Sequence, residues 1–141
     1  MSKKPGKRRE AREAAVQFLF SRDLNAGLAP DPAQFDLYWE FRPADPRVRA
    51  FSEELVRGAI EHLPAIDASL RDALENYRLE RVGAVDRNIL RLAVYEILFC
   101  NDIPRAVAIN EAIEIARRLG GDESPRFVNG VLDRIQRPTE A

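Results

Sequence analysis

Side chains able to carry out covalent or metal chemistry are scarce in this sequence of 141 residues. It has a single histidine, His62, and a single cysteine, Cys100. No disulfide within the chain and no cysteine–histidine zinc site can be built from that inventory, and nothing in the sequence assembles a nucleophile, a base and an oxyanion site. We expect His62, which lies just before a Leu-Pro pair, to be a capping or surface residue. Cys100 closes an apolar run and is expected to be a small core residue.

Carboxylates offer another route to chemistry. Glu111 and Glu114 lie three residues apart, but helical di-metal sites of this kind need a histidine three residues after a glutamate, and no such pair is present here. A solvated helix face, or pairing with Arg87 or Arg91, explains these acids better. We therefore predict no catalytic residue, no metal site and no cofactor.

Positive charge is concentrated at the start of the chain. Six cations face one acid within the first twelve residues, and they are Lys3, Lys4, Lys7, Arg8, Arg9 and Arg12. The whole chain has 22 Lys+Arg and 23 Asp+Glu, a formal net charge of -1, which excludes a uniformly basic coat but not a local patch. Clustered cations favour phosphates, and a single RNA strand is easier to contact than the deep major groove of an A-form duplex. The alternative is a tail that only improves solubility.

A second candidate binding segment spans residues 121–127. Arg126 adds positive charge near a predicted helix start, where backbone N–H groups already attract anions. Phe127 offers a ring that could stack on an unpaired base. Because phenylalanine is usually buried, a core anchor is the alternative interpretation of Phe127.

The elements that must position these residues are helices. Apolar residues recur with a helical period from Arg9 onward. The pairs Asp31-Pro32, Asp45-Pro46 and Ser124-Pro125 are typical helix starts, with an N-cap acceptor before proline. No alternating strand pattern is present, so we predict an all-α bundle.

The run over residues 85–100 is apolar on most of its faces and predicts a buried central helix. Arg91 and Glu96 interrupt it, so either one of them reaches the surface or a buried ion pair forms. We predict a flexible basic arm over residues 1–8 and one helical domain over residues 9–138.

Several stretches, taken in order, resemble the NusB family of bacterial transcription antitermination factors. They are RREAREAAVQ at 8–17, VDRNILRLAVYE at 85–96, IP at 103–104, AINEA at 108–112 and FVNGVLD at 127–133. The resemblance covers most of the chain and is densest in its C-terminal half. It implies an all-α fold of roughly seven helices in two small sub-bundles, and a role without catalysis.

The resemblance also implies partners. It implies binding of the boxA element of nascent RNA, most tightly with NusE, a small-subunit ribosomal protein. The larger complex would contain NusA, NusG and RNA polymerase and would favour transcription of ribosomal RNA operons. By position, the implied RNA contacts are Lys7, Arg8, Arg9, Arg12, Glu123, Arg126 and Phe127, and the implied NusE side includes Asp86 and Arg87. An acid such as Glu123 can accept a hydrogen bond from a base amino group while repelling phosphate.

Other interpretations stay open. NusB-like domains also stand at the N-terminus of ribosomal RNA cytosine methyltransferases, although we expect no catalytic domain after Ala141. A scaffold that binds protein but no RNA is a further alternative, and some members of the family form homodimers. The sequence has neither an apolar run of about 18 residues nor a signal-peptide core, so we expect a cytoplasmic protein without a membrane span.

Overall fold

The computed structural model describes residues 6–25, 30–75 and 77–137, and within them the chain forms helices and no strand. The helices are α1 (Lys7–Leu24), α2 (Pro32–Phe41), α3 (Pro46–Glu61), α4 (Leu63–Ala73), α5 (Ala84–Phe99), α6 (Arg105–Leu119) and α7 (Ser124–Leu132), with a 3-10 turn at Leu79–Arg81. The predicted all-α fold is confirmed. Residues 1–5 of the predicted arm and residue 138 at the predicted domain end lie outside the described residues.

Side-chain caps fix the starts of α2 and α3. The Asp31 carboxylate accepts a hydrogen bond at 2.9 Å from the backbone N–H of Gln34. The Asp45 carboxylate accepts one at 2.8 Å from the backbone N–H of Arg47. Each cap is followed by a proline in the first turn, where a missing N–H costs nothing. Both predicted helix starts are confirmed.

Two helices start differently from the prediction. α1 begins at Lys7 rather than Arg9, because the first apolar side chains that mark the helix in the sequence lie further along it. The N-cap of α7 is Glu123, without a side-chain hydrogen bond, so the predicted cap at Ser124 is wrong. The Ser124 hydroxyl instead accepts a hydrogen bond at 2.9 Å from the backbone N–H of Gly121, which ties the preceding loop to the helix.

α5 lies at the centre of the fold. It packs against α1, α3, α4, α6 and α7 and buries apolar side chains on most of its faces. α1, α2 and α3 form one group, in which the ring of Phe18 stacks on that of Phe35 with centroids 4.9 Å apart. α4, α6 and α7 surround the other side of α5. The prediction of two small sub-bundles around a buried central helix is confirmed.

A buried ion pair joins α1 to α5. The side chains of Arg12 and Glu96 are 4% and 2% exposed, and Nε and Nη2 of the arginine each donate to a carboxylate oxygen at 2.8 Å. Burial alone would lower the pKa of the Arg12 guanidinium, but the hydrogen bonds and charge of Glu96 outweigh burial and raise it. Of the two alternatives for Glu96, the buried ion pair is therefore the one observed.

A second polar cluster ties the end of α1 to α4 and α5. Asp23 accepts hydrogen bonds from Arg87, Asn88 and Arg91 at 3.0, 2.9 and 3.2 Å. Arg91 also donates to Asp67 of α4 at 2.9 Å. Burial is the largest single influence on the pKa of Asp23 and would raise it, yet the hydrogen bonds and positive charges prevail and lower it. Both arginines are thus occupied, so the alternative in which Glu111 or Glu114 pairs with Arg87 or Arg91 is not the one observed.

His62 and Cys100 have structural positions. His62 lies between α3 and α4 as the cap residue of both, and its ring stacks on Phe99 with centroids 4.0 Å apart. Cys100 is partly buried against the core. In the described part of the chain, no group of three or more His, Cys, Asp or Glu residues could hold a metal ion. None of the helices there is long and apolar enough to cross a membrane.

Candidate nucleic-acid interface

Lys7 and Arg8 are the exposed cations at the start of α1. Lys7 Nζ lies 3.1 Å from the carboxylate of Asp45 at the start of α3, and both side chains face solvent. The Arg8 guanidinium lies over the ring of Phe51, 4.5 Å from its centroid, in a cation–π arrangement. Exposed ion pairs contribute little free energy. Lys7 can therefore exchange its present contact for phosphate at small cost, while Arg8 holds an exposed guanidinium beside it.

Arg9 and Arg12, also expected at the RNA, turn toward the protein. Arg9 Nη2 lies 2.6 Å from the carboxylate of Glu111 in α6, and this hydrogen bonding raises the pKa of the Arg9 guanidinium. Arg12 lies below it, 4% exposed, and also approaches Glu111 at 3.5 Å. Arg9 is at the margin of the basic surface, whereas Arg12 supports α1 from inside and offers no accessible charge.

The predicted segment of residues 121–127, which includes the start of α7, forms one wall of a groove between α6 and α7. Glu123 and Arg126 line this α6–α7 groove together with Arg117 and Asn129, and its volume is about 630 Å³. Two arginines can contact phosphates, while a carboxylate and an amide can bind the polar edge of a base. The groove therefore combines groups for holding an RNA backbone with groups for reading a base.

A close approach at Gly120 shapes the loop that closes the α6–α7 groove. A Cβ at Gly120 would lie 2.5 Å from the Ser124 hydroxyl oxygen and 2.9 Å from the carbonyl oxygen of Ala116. At Gly121 the nearest atom to such a Cβ is 4.0 Å away, an ordinary van der Waals distance. Packing thus requires the first glycine of the pair, and the tight loop brings Ser124 close to the end of α6.

Phe127 opens onto a second groove of about 330 Å³ on the other side of Arg126. Its ring packs partly against the core and lies 5.9 Å from the ring of Tyr77, which is 54% exposed. Arg126 lines both grooves, and Arg134 lines the second. Part of the Phe127 ring therefore packs into the core, and the rest is accessible to a base that could stack on it. Sequence reasoning missed Tyr77, whose only signal is an aromatic residue beside Arg78 in a segment without a helical period.

An ion pair connects α1 to α6 next to the α6–α7 groove. Arg118 Nε lies 2.6 Å from the Glu13 carboxylate of α1. The preceding residue, Arg117, pairs with Glu114 on the wall of the groove. Burial is the main influence on Glu13 and raises its pKa, although Arg118 opposes that effect. The cations of α1 and the α6–α7 groove are therefore neighbours on one side of the molecule.

The two residues expected to face a protein partner lie at the other end of α1. Asp86 and Arg87 are in the first turn of α5 and are half-buried. Arg87 donates to Asp23 near the end of α1 at 3.0 Å and to the carbonyl oxygen of Val82 at 2.9 Å. Lys7 and Asp23 are 16 positions apart on α1, which at ~1.5 Å per residue separates them by about 24 Å. The two candidate surfaces therefore do not overlap.

Comparison with protein families decides the relationship of this chain to known proteins. The NusB family model matches residues 9–137. The chain belongs to the NusB family. The resemblance predicted from the sequence is confirmed.

Known NusB proteins match over almost the whole chain. The transcription antitermination protein NusB of Sorangium cellulosum is 47% identical over 130 residues, which cover 92% of this chain and 91% of the relative. NusB of Bacillus velezensis is 45% identical over 135 residues, covering 96% and 99%. The relatives of the NusB family thus have nearly the same length as this chain.

Solved NusB structures share the fold. NusB of T. maritima has a TM-score of 0.79 at 39% identity and covers 94% of this chain and 91% of its own. A crystal structure of the antitermination factors NusB and NusE in complex with dsRNA contains a chain with a TM-score of 0.78 at 26% identity, covering 90% and 93%. The helical architecture described above is therefore that of NusB.

Proposed function

We propose that this chain is a transcription antitermination factor that binds boxA RNA together with the ribosomal protein NusE. The observation that carries the proposal is the NusB family match over residues 9–137. Its relatives are named transcription antitermination proteins, and a related NusB has been crystallised with NusE and dsRNA. We infer a role without a catalytic step, in which the protein recruits RNA and partners.

The geometry supports RNA as the ligand of the face that contains the start of α1 and the α6–α7 groove. Exposed Lys7 and Arg8 supply charge for phosphates, and Arg126 adds charge at the groove. Phe127 offers a ring to an unpaired base, and Glu123 a hydrogen-bond acceptor that repels phosphate. This combination is suited to reading a single strand, whose bases are free of pairing.

The opposite end of α1 is the proposed NusE surface. Asp86 is half-buried in the first turn of α5, and Arg87 is held in place by Asp23. A site about 24 Å from Lys7 leaves room for NusE and RNA to bind at the same time. We further propose that the resulting complex joins NusA, NusG and RNA polymerase and supports processive transcription of ribosomal RNA operons.

Fluorescence anisotropy with labelled RNA tests the RNA proposal. The chain is titrated into boxA RNA, a scrambled RNA of the same composition and a duplex of the boxA sequence, each with and without NusE. We expect the single-stranded boxA RNA to bind most tightly and NusE to tighten that binding further. Equal affinity for boxA and scrambled RNA under all conditions would reject sequence-specific binding. NusE binding without any RNA affinity would instead indicate a protein-only scaffold.

Salt dependence tests which cations contact phosphate. For a single strand, the slope of log K against log salt changes by about 0.7 for each lost phosphate contact. We expect Lys7→Gln and Arg8→Gln each to reduce the slope by that amount. Arg57→Gln removes an exposed arginine of α3 that pairs with Glu53 and serves as a control with an unchanged slope. An unaltered slope in the double variant of Lys7 and Arg8 would remove the start of α1 from the interface.

A variant at the proposed partner surface separates the two binding activities. Asp86→Asn removes a charge at the start of α5 without truncating the side chain. We expect NusE affinity to fall by up to about fivefold, as for an exposed ion pair, and RNA affinity of the chain alone to be unchanged. Isothermal titration with NusE measures the first quantity, and unchanged NusE affinity would place the partner elsewhere.

A further inference from the structure

We propose that a groove between the starts of α1 and α3 binds one nucleotide of the RNA, with its base stacked on Arg8 and its phosphates contacted by Arg47 and Lys7. The groove is lined by Lys7, Arg8, Arg47, Ala50, Phe51 and Glu54 and has a volume of about 510 Å³. We call it the α1–α3 groove. The proposal rests on the RNA-binding function proposed above and extends it to α3, a helix outside both RNA-binding segments expected from the sequence.

The floor of the α1–α3 groove is the ring of Phe51. Two guanidinium groups of α1 lie over this ring, that of Arg8 at 4.5 Å and that of Arg12 at 5.5 Å from its centroid. Arg12 is buried and fixed by Glu96, so it holds the ring from the inside. Arg8 is exposed, so one face of its planar guanidinium is covered by the ring and the other remains open. Bases of single-stranded RNA stack on such guanidinium planes.

The rim of the α1–α3 groove supplies positive charge that is only weakly paired inside the protein, through the exposed Asp45. The Arg47 side chain is exposed and forms no ion pair with any residue that the structure describes. Arg8 likewise contacts the Phe51 ring rather than a carboxylate. Lys7 has only the exposed contact with Asp45, which is worth little in water. Lys7 and Arg47, on the rim beside the guanidinium of Arg8, can contact the phosphates on either side of a base stacked on Arg8.

A nucleotide fits this groove better than an acidic protein segment. A carboxylate side chain could pair with Arg47 or Lys7, but it has no flat apolar face to match the guanidinium–ring stack of Arg8 and Phe51. Glu54 on the wall of the groove would repel an acidic segment. The same carboxylate can accept a hydrogen bond from the amino group of a base. The chemistry of the α1–α3 groove is therefore a flat stacking surface, a phosphate rim and one acceptor.

Variants of α3 test the proposal in the full chain, with the boxA and scrambled RNAs as probes. Arg47→Gln removes one rim charge, and we expect the slope of log K against log salt to fall by about 0.7. Phe51→Leu keeps an apolar side chain under α1 but removes the ring, and we expect a loss of RNA affinity of about fivefold or more. Arg57→Gln, on the same helix over the ring of Phe35, is the matched control and should bind RNA as the wild type does. Thermal melting shows whether each variant remains folded.

Crosslinking locates the nucleotide directly, even if Phe51→Leu lowers stability. Irradiation of the wild-type chain with 5-bromouridine-substituted boxA RNA, followed by trypsin, should give a nucleotide adduct on the peptide of residues 50–57, which contains Ala50, Phe51 and Glu54 of the groove lining. Arg47→Gln should reduce the yield of this adduct. The proposal is overturned if Arg47→Gln and Phe51→Leu both bind RNA with the affinity and salt slope of the wild type and no adduct forms on this peptide. That result would leave the proposed RNA-binding function itself intact. If Arg47→Gln instead weakens NusE binding alone, the groove is a protein site and the proposal is wrong.

Discussion

The buried ion pair between Arg12 and Glu96 leads to a quantitative prediction about stability. Replacing Glu96 by Gln leaves the guanidinium in its buried position, 4% exposed, with a neutral partner. Removing one partner of a buried pair destabilises a protein by about 3–5 kcal/mol, because the remaining charge is uncompensated. Glu111 lies 3.5 Å from Arg12 and retains part of the compensation. We therefore expect a loss of about 3 kcal/mol in the free energy of unfolding.

The corresponding shift in melting temperature follows from chain length. Unfolding entropies of about 2.1 cal/mol/K per residue give this chain of 141 residues about 0.3 kcal/mol/K. A loss of about 3 kcal/mol thus lowers Tm by about 10 °C. Urea unfolding gives the free energy and thermal melting gives Tm, with an unchanged m-value showing that the transition is still two-state.

The double variant Arg12→Met with Glu96→Leu is the decisive control. It replaces both charges by apolar side chains of similar length, and such replacements are commonly neutral or stabilising. We expect its stability to return to within about 1 kcal/mol of the wild type. If Arg12 has only this internal role, the salt slope of RNA binding will also be unchanged. If Glu96→Gln is as stable as the wild type, the reasoning is refuted. If the double variant shows a reduced salt slope of RNA binding, Arg12 contacts the RNA after all.

Three further perturbations are expected to give distinct results. The lowered pKa of Asp23 means that its contribution to stability is present above the unfolded value of about 3.9 and is lost as pH falls through the lower folded value. Urea unfolding of Asp23→Asn should therefore show lower stability at pH 7 and a smaller decrease in acid. Gly58→Ala and Gly130→Ala gain the same helix propensity, but a Cβ at Gly58 would lie 2.0 Å from the Tyr95 hydroxyl oxygen, whereas Gly130 has nothing within 4 Å. We expect thermal melts to show Gly130→Ala to be more stable than the wild type and Gly58→Ala to be less stable than the wild type by about 1 kcal/mol or more. Equal stability of the two variants would contradict the expected steric clash with Tyr95. Glu123→Gln should raise the affinity for scrambled RNA, so that the boxA affinity measured by anisotropy exceeds the scrambled-RNA affinity by a smaller factor. If that factor is unchanged, the Glu123 carboxylate does not read a base.

Local signals in the sequence predict many of the helices and some of their starts. Asp31 and Asp45 act as N-caps through residues two or three positions away, so their role is visible in a short window of sequence. The apolar surface of α5 is equally local, since a helix with few polar gaps must be buried. Helix starts without such signals, as at Lys7, cannot be located by the same reasoning.

Contacts between distant residues explain what the sequence could not reveal about the candidate site. Arg12 and Glu96 are 84 positions apart, and Arg9 and Glu111 are 102 positions apart. A count of cations near the N-terminus gives Arg12 the same weight as Arg8, although the structure buries the first and exposes the second. Arg47 has no local feature that links it to α1. Only the packing of α3 against α1 brings it to the rim of the groove.

The placement of the two proposed surfaces at opposite ends of α1 has a consequence for assembly. A continuous helix is stiff, so ligands bound near Lys7 and Asp23 are held about 24 Å apart and cannot drift away from each other. At such separations a tethered partner experiences an effective concentration on the order of millimolar. A direct contact between NusE and RNA that is too weak to form in free solution would then form in most complexes. By fixing the distance between the two ligands, α1 would raise the avidity of the whole assembly.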